Sequence, residues 1–206
     1  HVAGILGSAA YGAGSKTVIR NCHNFGEVIG TAYAAGISCD ADSKVTDCKN
    51  RNKVVAYSVV DSAFAGGITA WSSATVSLCD NIGEIYATSD GDDAYAGGIS
   101  AYNSETTPCP IEKCVNYGKA TAYGYRYAYS AGILACGDGK ITRCHNVGEI
   151  SGGGNRAYAG GIAGYNSGTI ENCYNTGKVI FMKKVGIIFA MEEELLALKE
   201  YLKLEK

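Results

Sequence analysis

Two short phrases alternate six times along the chain, and no other feature limits its possible folds so strongly. The phrase Cys-x-Asn occurs at Cys22/Asn24, Cys48/Asn50, Cys79/Asn81, Cys114/Asn116, Cys144/Asn146 and Cys173/Asn175. The phrase Ala-Gly-Gly-Ile, or a close variant, places Ile5, Ile37, Ile68, Ile99, Ile133 and Ile162. A period of about 30 residues marks a solenoid, a propeller or an array of small units. A propeller blade takes about 40 residues and four strands, which ranks it below the solenoid. In a repeat, a residue that recurs in every unit serves the stacking of units before it serves chemistry.

Aligning the units on cysteine assigns the positions. Three residues before each Cys stands a β-branched side chain: Ile19, Val45, Val76, Ile111, Ile141, Ile170. Four after it stands Gly26, Asn52, Gly83, Gly118, Gly148 or Gly177, the residue types that tolerate positive φ, which predicts a left-handed turn or bulge there. Side chains alternate faces along a strand, so Cys and the Asn two residues on should point the same way. The β-branched residue has the opposite parity, and a bend before Cys would bring both inward. An aromatic residue opens the second phrase at Tyr33, Phe64, Tyr95, Tyr129 and Tyr158. No unit carries a helical period. The expectation is an all-β parallel solenoid of about six rungs with two or three short strands per unit. Loops vary on one side, as at Ser89–Asp93 and Ser151–Asn155. Stacking in register makes ladders of Cys22, Cys48, Cys79, Cys114, Cys144 and Cys173, and of Asn24, Asn50, Asn81, Asn116, Asn146 and Asn175. In the second ladder the amides can satisfy one another.

Composition narrows the function classes. The net charge of −2, with 18% charged residues, argues against a nucleic-acid surface. No apolar run reaches the ~18 residues of a membrane span. The chain starts at His1 inside a repeat without a leader, so it reads as part of something longer. Nine cysteines cannot all pair within the chain. No Cys-x-x-Cys pair occurs, and in-register thiols point alike rather than at each other, so a small buried hydrophobe is the favoured role and no metal or cofactor is expected. Tyr123, Tyr125, Tyr127 and Tyr129 alternate along one segment and would form one aromatic face. Sugars stack on such faces, though an aromatic column along the solenoid is favoured. Asp90, Asp92 and Asp93 are read as a solvated turn before a calcium loop. His1, His23 and His145 stand in no catalytic setting, and nothing over residues 1–180 argues for catalysis.

The last unit, Ala159-Gly-Gly-Ile-Ala-Gly-Tyr-Asn-Ser-Gly-Thr-Ile-Glu-Asn-Cys-Tyr-Asn-Thr-Gly-Lys-Val179, resembles the GLUG motif repeat, and the resemblance extends more loosely over residues 1–180. The second unit departs most, with Asn52 at the turn position and Cys39-Asp40-Ala41-Asp42 replacing Gly-Tyr-Asn. The GLUG repeat is found in large bacterial surface and secreted proteins, including some immunoglobulin A peptidases. The resemblance implies an extracellular, non-enzymatic stalk or adhesive region; it leaves the partner open, a host or bacterial surface protein or a glycan being the candidates.

From residue 182 the character changes, which divides the chain into 1–181 and 182–206. Val185–Ala190 reads as a buried strand, and Met191, Leu195, Leu198 and Leu202 form a stripe at helical spacing. Met182-Lys-Lys-Val-Gly-Ile-Ile-Phe-Ala-Met-Glu-Glu-Glu194 resembles the start of 5'-methylthioadenosine/S-adenosylhomocysteine nucleosidases. The resemblance implies a role for Glu194 in positioning or activating the attacking water, provided the rest of such an enzyme follows. The family's other catalytic carboxylates lie far downstream, so this segment is inactive as it stands. The alternative is a strand and helix that cap the solenoid.

Overall fold

In the computed structural model the described residues are 1–8, 17–104 and 109–182. They form a parallel β-solenoid, and every element among them is a strand. One full turn runs through Ala63–Gly66, Thr69–Ser72, Val76–Ser77, Asp80–Asn81 and Ile85–Ser89. The next starts at Ala94 in register, with Phe64 on Tyr95, Trp71 on Tyr102, Val76 on Ile111, Asn81 on Asn116 and Ile85 on Ala120. The sheets carrying the β-branched and the Asn columns are six strands deep, and the sheet through Thr69 is five deep, which gives about five complete turns. Each turn therefore has five strands, more than the two or three expected. The extra ones are two-residue pieces on either side of sharp corners.

Three of those corners carry an Asn or Asp, which tolerates a left-handed backbone, and three carry no such sign. The residue just before each repeat Cys is left-handed: Asn21, Asp47, Leu78, Lys113, Arg143 and Asn172 have φ of 52° to 55°. This is the bend that turns both the β-branched side chain and Cys inward. The expectation that the Gly four residues after Cys holds positive φ is not met, because among the described glycines only Gly137 and Gly154 lie in that region. At the expected position the constraint is space. A Cβ on Gly118 would lie 2.0 Å from the carbonyl oxygen of Gly83 one rung below.

A left-handed corner costs an ordinary L-residue about 1–2 kcal/mol, less for Asn. Leu78 is the one large apolar residue at these corners and is half exposed. Leu78→Asn is expected to raise stability by about 0.5–1 kcal/mol, read as a higher urea midpoint.

Two buried clusters fill the interior. One joins Ile37, Ile68, Ile99 and Ile133 to the β-branched column and the repeat Cys. In the other, opposite walls meet over Ala65, Ala96, Ala87 and Ala122, with Val54, Ile85 and Ile150 closing the end. Small residues let these walls approach closely. Among the described residues the first and last rungs are stacked on one side only, and Ile5 and Ile170 there are each 46% exposed.

Candidate ligand-binding corner

The two repeated phrases meet inside each turn. The Asn column is continuous: each Nδ2 donates to the Oδ1 of the next Asn, from Asn24 through Asn50, Asn81, Asn116 and Asn146 to Asn175, at 2.7–2.8 Å. Its second hydrogen goes to the carbonyl two residues on, as in Asn81 to Gly83 at 2.8 Å. Both amide hydrogens and the oxygen of every internal Asn are thereby used. The second Gly of Ala-Gly-Gly-Ile backs this column, since a Cβ on Gly67, Gly98 or Gly132 would fall 2.3–2.6 Å from the amide carbon of Asn81, Asn116 or Asn146.

The repeat thiols close the corners. The Sγ of Cys48, Cys79, Cys114, Cys144, Cys173 and Cys22 each donates to the carbonyl two residues back, at 3.2–3.4 Å. In the rungs after that of Cys22, the same carbonyl also accepts a corner N–H from the rung before, as Thr46 O does from Asn21. All nine thiols are free of disulfides. Burial pushes the Cys114 thiol well above its ordinary value and Cys39 up to about 11. Because Cys22, Cys136 and Cys173 are the partly exposed ones, a thiol reagent should titrate at most three groups in the native protein at pH 8. All nine should react in guanidinium.

The four tyrosines do not make one face. They lie on the strand Ala120–Ala131, which bends where its register with the next rung shifts between Gly124 and Tyr127. Before the bend, Tyr123 lies 6.1 Å from Tyr86 and its hydroxyl donates to Met182 Sδ at 3.0 Å. After it, Tyr129 joins a column Tyr33–Phe64–Tyr95–Tyr129–Tyr158 stacked at 4.5–5.1 Å. Burial raises the Tyr95 and Tyr129 hydroxyls, Tyr129 to about 12. Tyr125 stands at the bend, 52% exposed.

That bend belongs to a corner where successive rungs differ in chemistry. Val59 and Val60 occupy it in one rung, both well exposed. Asp90, Asp92 and Asp93 occupy it in the next, Tyr125 and Arg126 in the one after, and Asn155 and Arg156 in the last. The Asp residues are taken up by neighbours. Asp90 accepts from the Tyr57 hydroxyl at 3.1 Å, and Asp92 pairs with Arg126 at 3.0 Å. The largely buried Asp93 accepts the Tyr127 N–H and the Tyr95 hydroxyl, both at 3.1 Å, and so pins the bend. No group of three or more His, Cys, Asp or Glu among the described residues is placed to hold a metal ion. Arg126 and Arg156 both lie 5.8 Å over the Tyr127 ring. With Tyr127 and Asn155 they line a recess of about 210 Å³. Sequence reasoning picked out Tyr125 and Tyr127 but missed the arginines. The signal available was position, since both lie where the units vary.

The histidines serve packing: His1 stacks on Tyr33 at 4.7 Å, His145 on Tyr174 at 3.9 Å, and His23 meets Phe25 edge-on at 6.1 Å. Glu194 and the apolar stripe of the tail lie outside the described residues.

Comparison with known proteins bears on the repeat. Residues 155–180 match the GLUG motif family. A crystal structure of a chain provisionally named an immunoglobulin A1 protease, from Bacteroides ovatus, is similar with a TM-score of 0.53 at 18% identity, over 86% of this chain. This chain spans 63% of that one. At such identity the likeness is one of fold. No curated protein matches the chain, and no comparison links the tail to a nucleosidase. The chain is a β-solenoid repeat protein whose last described rung carries the GLUG motif.

Proposed function

We propose that this is a non-enzymatic segment of a bacterial cell-surface or secreted protein, in which the solenoid is a rigid stalk and its variable corner a binding surface. The carrying observation is the contrast between an interior repeated six times and a corner that changes from rung to rung. In stacked-repeat proteins such variation collects on the face that meets partners. The GLUG match in residues 155–180 supports the extracellular setting. No catalytic role is assigned to any residue, Glu194 included.

Antibodies raised against the corner should label intact cells of the source bacterium, or detect the protein in its medium. Labelling only after permeabilisation would overturn the extracellular reading.

A further inference from the structure

Resting on the proposed binding role, we infer that the corner formed by Tyr125, Tyr127, Asn155 and Arg156 binds a carboxylated sugar residue, a uronate or a sialate. The two guanidiniums are unequal. Arg126 is committed to Asp92 at 3.0 Å, with Asp93 at 3.9 Å. Arg156 makes no ion pair among the described residues, and its Nη1 donates to the Tyr127 hydroxyl at 3.4 Å. Its remaining donors form a fork that matches a carboxylate in shape and charge. Tyr125, on the same bend where the strand opposes Asn155 and 52% exposed, offers a flat amphipathic ring for a sugar face. The Asn155 amide supplies a donor and an acceptor for hydroxyls.

The site is built in advance. Asp93 holds the Tyr127 backbone at 3.1 Å, and Gly154 takes φ of 137° at the bend, where a Cβ would also lie 2.2 Å from the Gly124 carbonyl oxygen. Little ordering is then needed on binding. The volume of about 210 Å³ is small, which suits one ring rather than a long ligand. The rung beneath carries Asp90 and Asp92, so a polyanion lying along the axis meets like charge. A ligand with one carboxylate among neutral hydroxyls avoids that conflict.

The test is calorimetric titration of the full chain with a glucuronate-containing disaccharide, sialyllactose, neutral lactose and an acidic tripeptide. One of the two carboxylated sugars should bind, with lactose at least tenfold weaker, and which one it is separates the two sources. Arg156→Gln should weaken binding about tenfold or more, and Tyr125→Ala several-fold, at unchanged thermal unfolding. Arg156→Lys, which keeps the charge but loses the fork, should fall between; it decides the matter if Arg156→Gln fails to fold. Equal binding of lactose, no effect of either Arg156 change, tighter binding of the tripeptide, or no binding of either carboxylated sugar would each overturn the assignment. These outcomes do not depend on where the cell places the protein.

Discussion

Asn81→Ala is expected to remove about 3–5 kcal/mol of stability, although the substitution lies away from every exposed surface. Asn81 is fully buried and makes three bonds: it accepts from Asn50 at 2.8 Å and donates to Asn116 and to the Gly83 carbonyl at 2.8 Å. Removing it strands a donor hydrogen on Asn50 and two acceptors. Each buried orphan costs about 1–3 kcal/mol, and a void adds to the loss. The terminal Asn175 provides the contrast. It is exposed and is the last Asn of the column among the described residues, so water replaces what Asn175→Ala removes, and the loss should stay near 1 kcal/mol. Urea unfolding followed by the single tryptophan, Trp71, reads both. Equal midpoints for the two variants would show that the column does not carry the stability assigned to it.

Gly98→Ala should be at least as damaging, by more than about 3 kcal/mol, or should abolish the soluble fold. The added methyl would lie 2.2 Å from the Gly132 carbonyl oxygen and 2.3 Å from the Asn116 amide carbon. Neither can yield cheaply. The first is backbone of the neighbouring rung, and the second is held by bonds to Asn81, Gly118 and Asn146. Relief would require parting two rungs along a whole side. Gly7→Ala is the control. Its nearest neighbour would be 4.0 Å away, and its effect should stay within about 0.5 kcal/mol. Soluble yield and urea midpoint distinguish the pair.

The solenoid was legible because its interior is written in residue types that have few other uses in a strand. A β-branched residue, a Cys and an Asn at fixed offsets identify the inward column positions, and the parity argument correctly required a bend between Val76 and Cys79. What made that bend was hidden. Leu78, Lys113 and Arg143 adopt a left-handed backbone without the Gly or Asn that usually announces one, because the packed rungs on either side over-determine it. The Gly four residues after Cys, as at Gly118, looked like a turn former and proved to be a spacing requirement, which only the neighbouring rung imposes. The tyrosines failed for a related reason. Period-two alternation across Tyr123–Tyr129 predicts one face, but Tyr125 and Arg126 oppose a single residue, Asn155, in the next rung, and that mismatch turns the strand. Register between rungs is a property of two segments and cannot be read from either alone. Likewise Asp93, read as part of a solvated turn, is largely buried and serves as a strut under that turn.

The Asn column has a direction. Every amide donates towards the C-terminal end and accepts from the N-terminal end, so the upper and lower faces of a rung are complements rather than copies. A turn could be duplicated or lost as a genetic unit without leaving any amide at the seam unmatched. Length is thus free to drift by whole turns at little energetic risk, while the outward corner of each new copy is left to diverge.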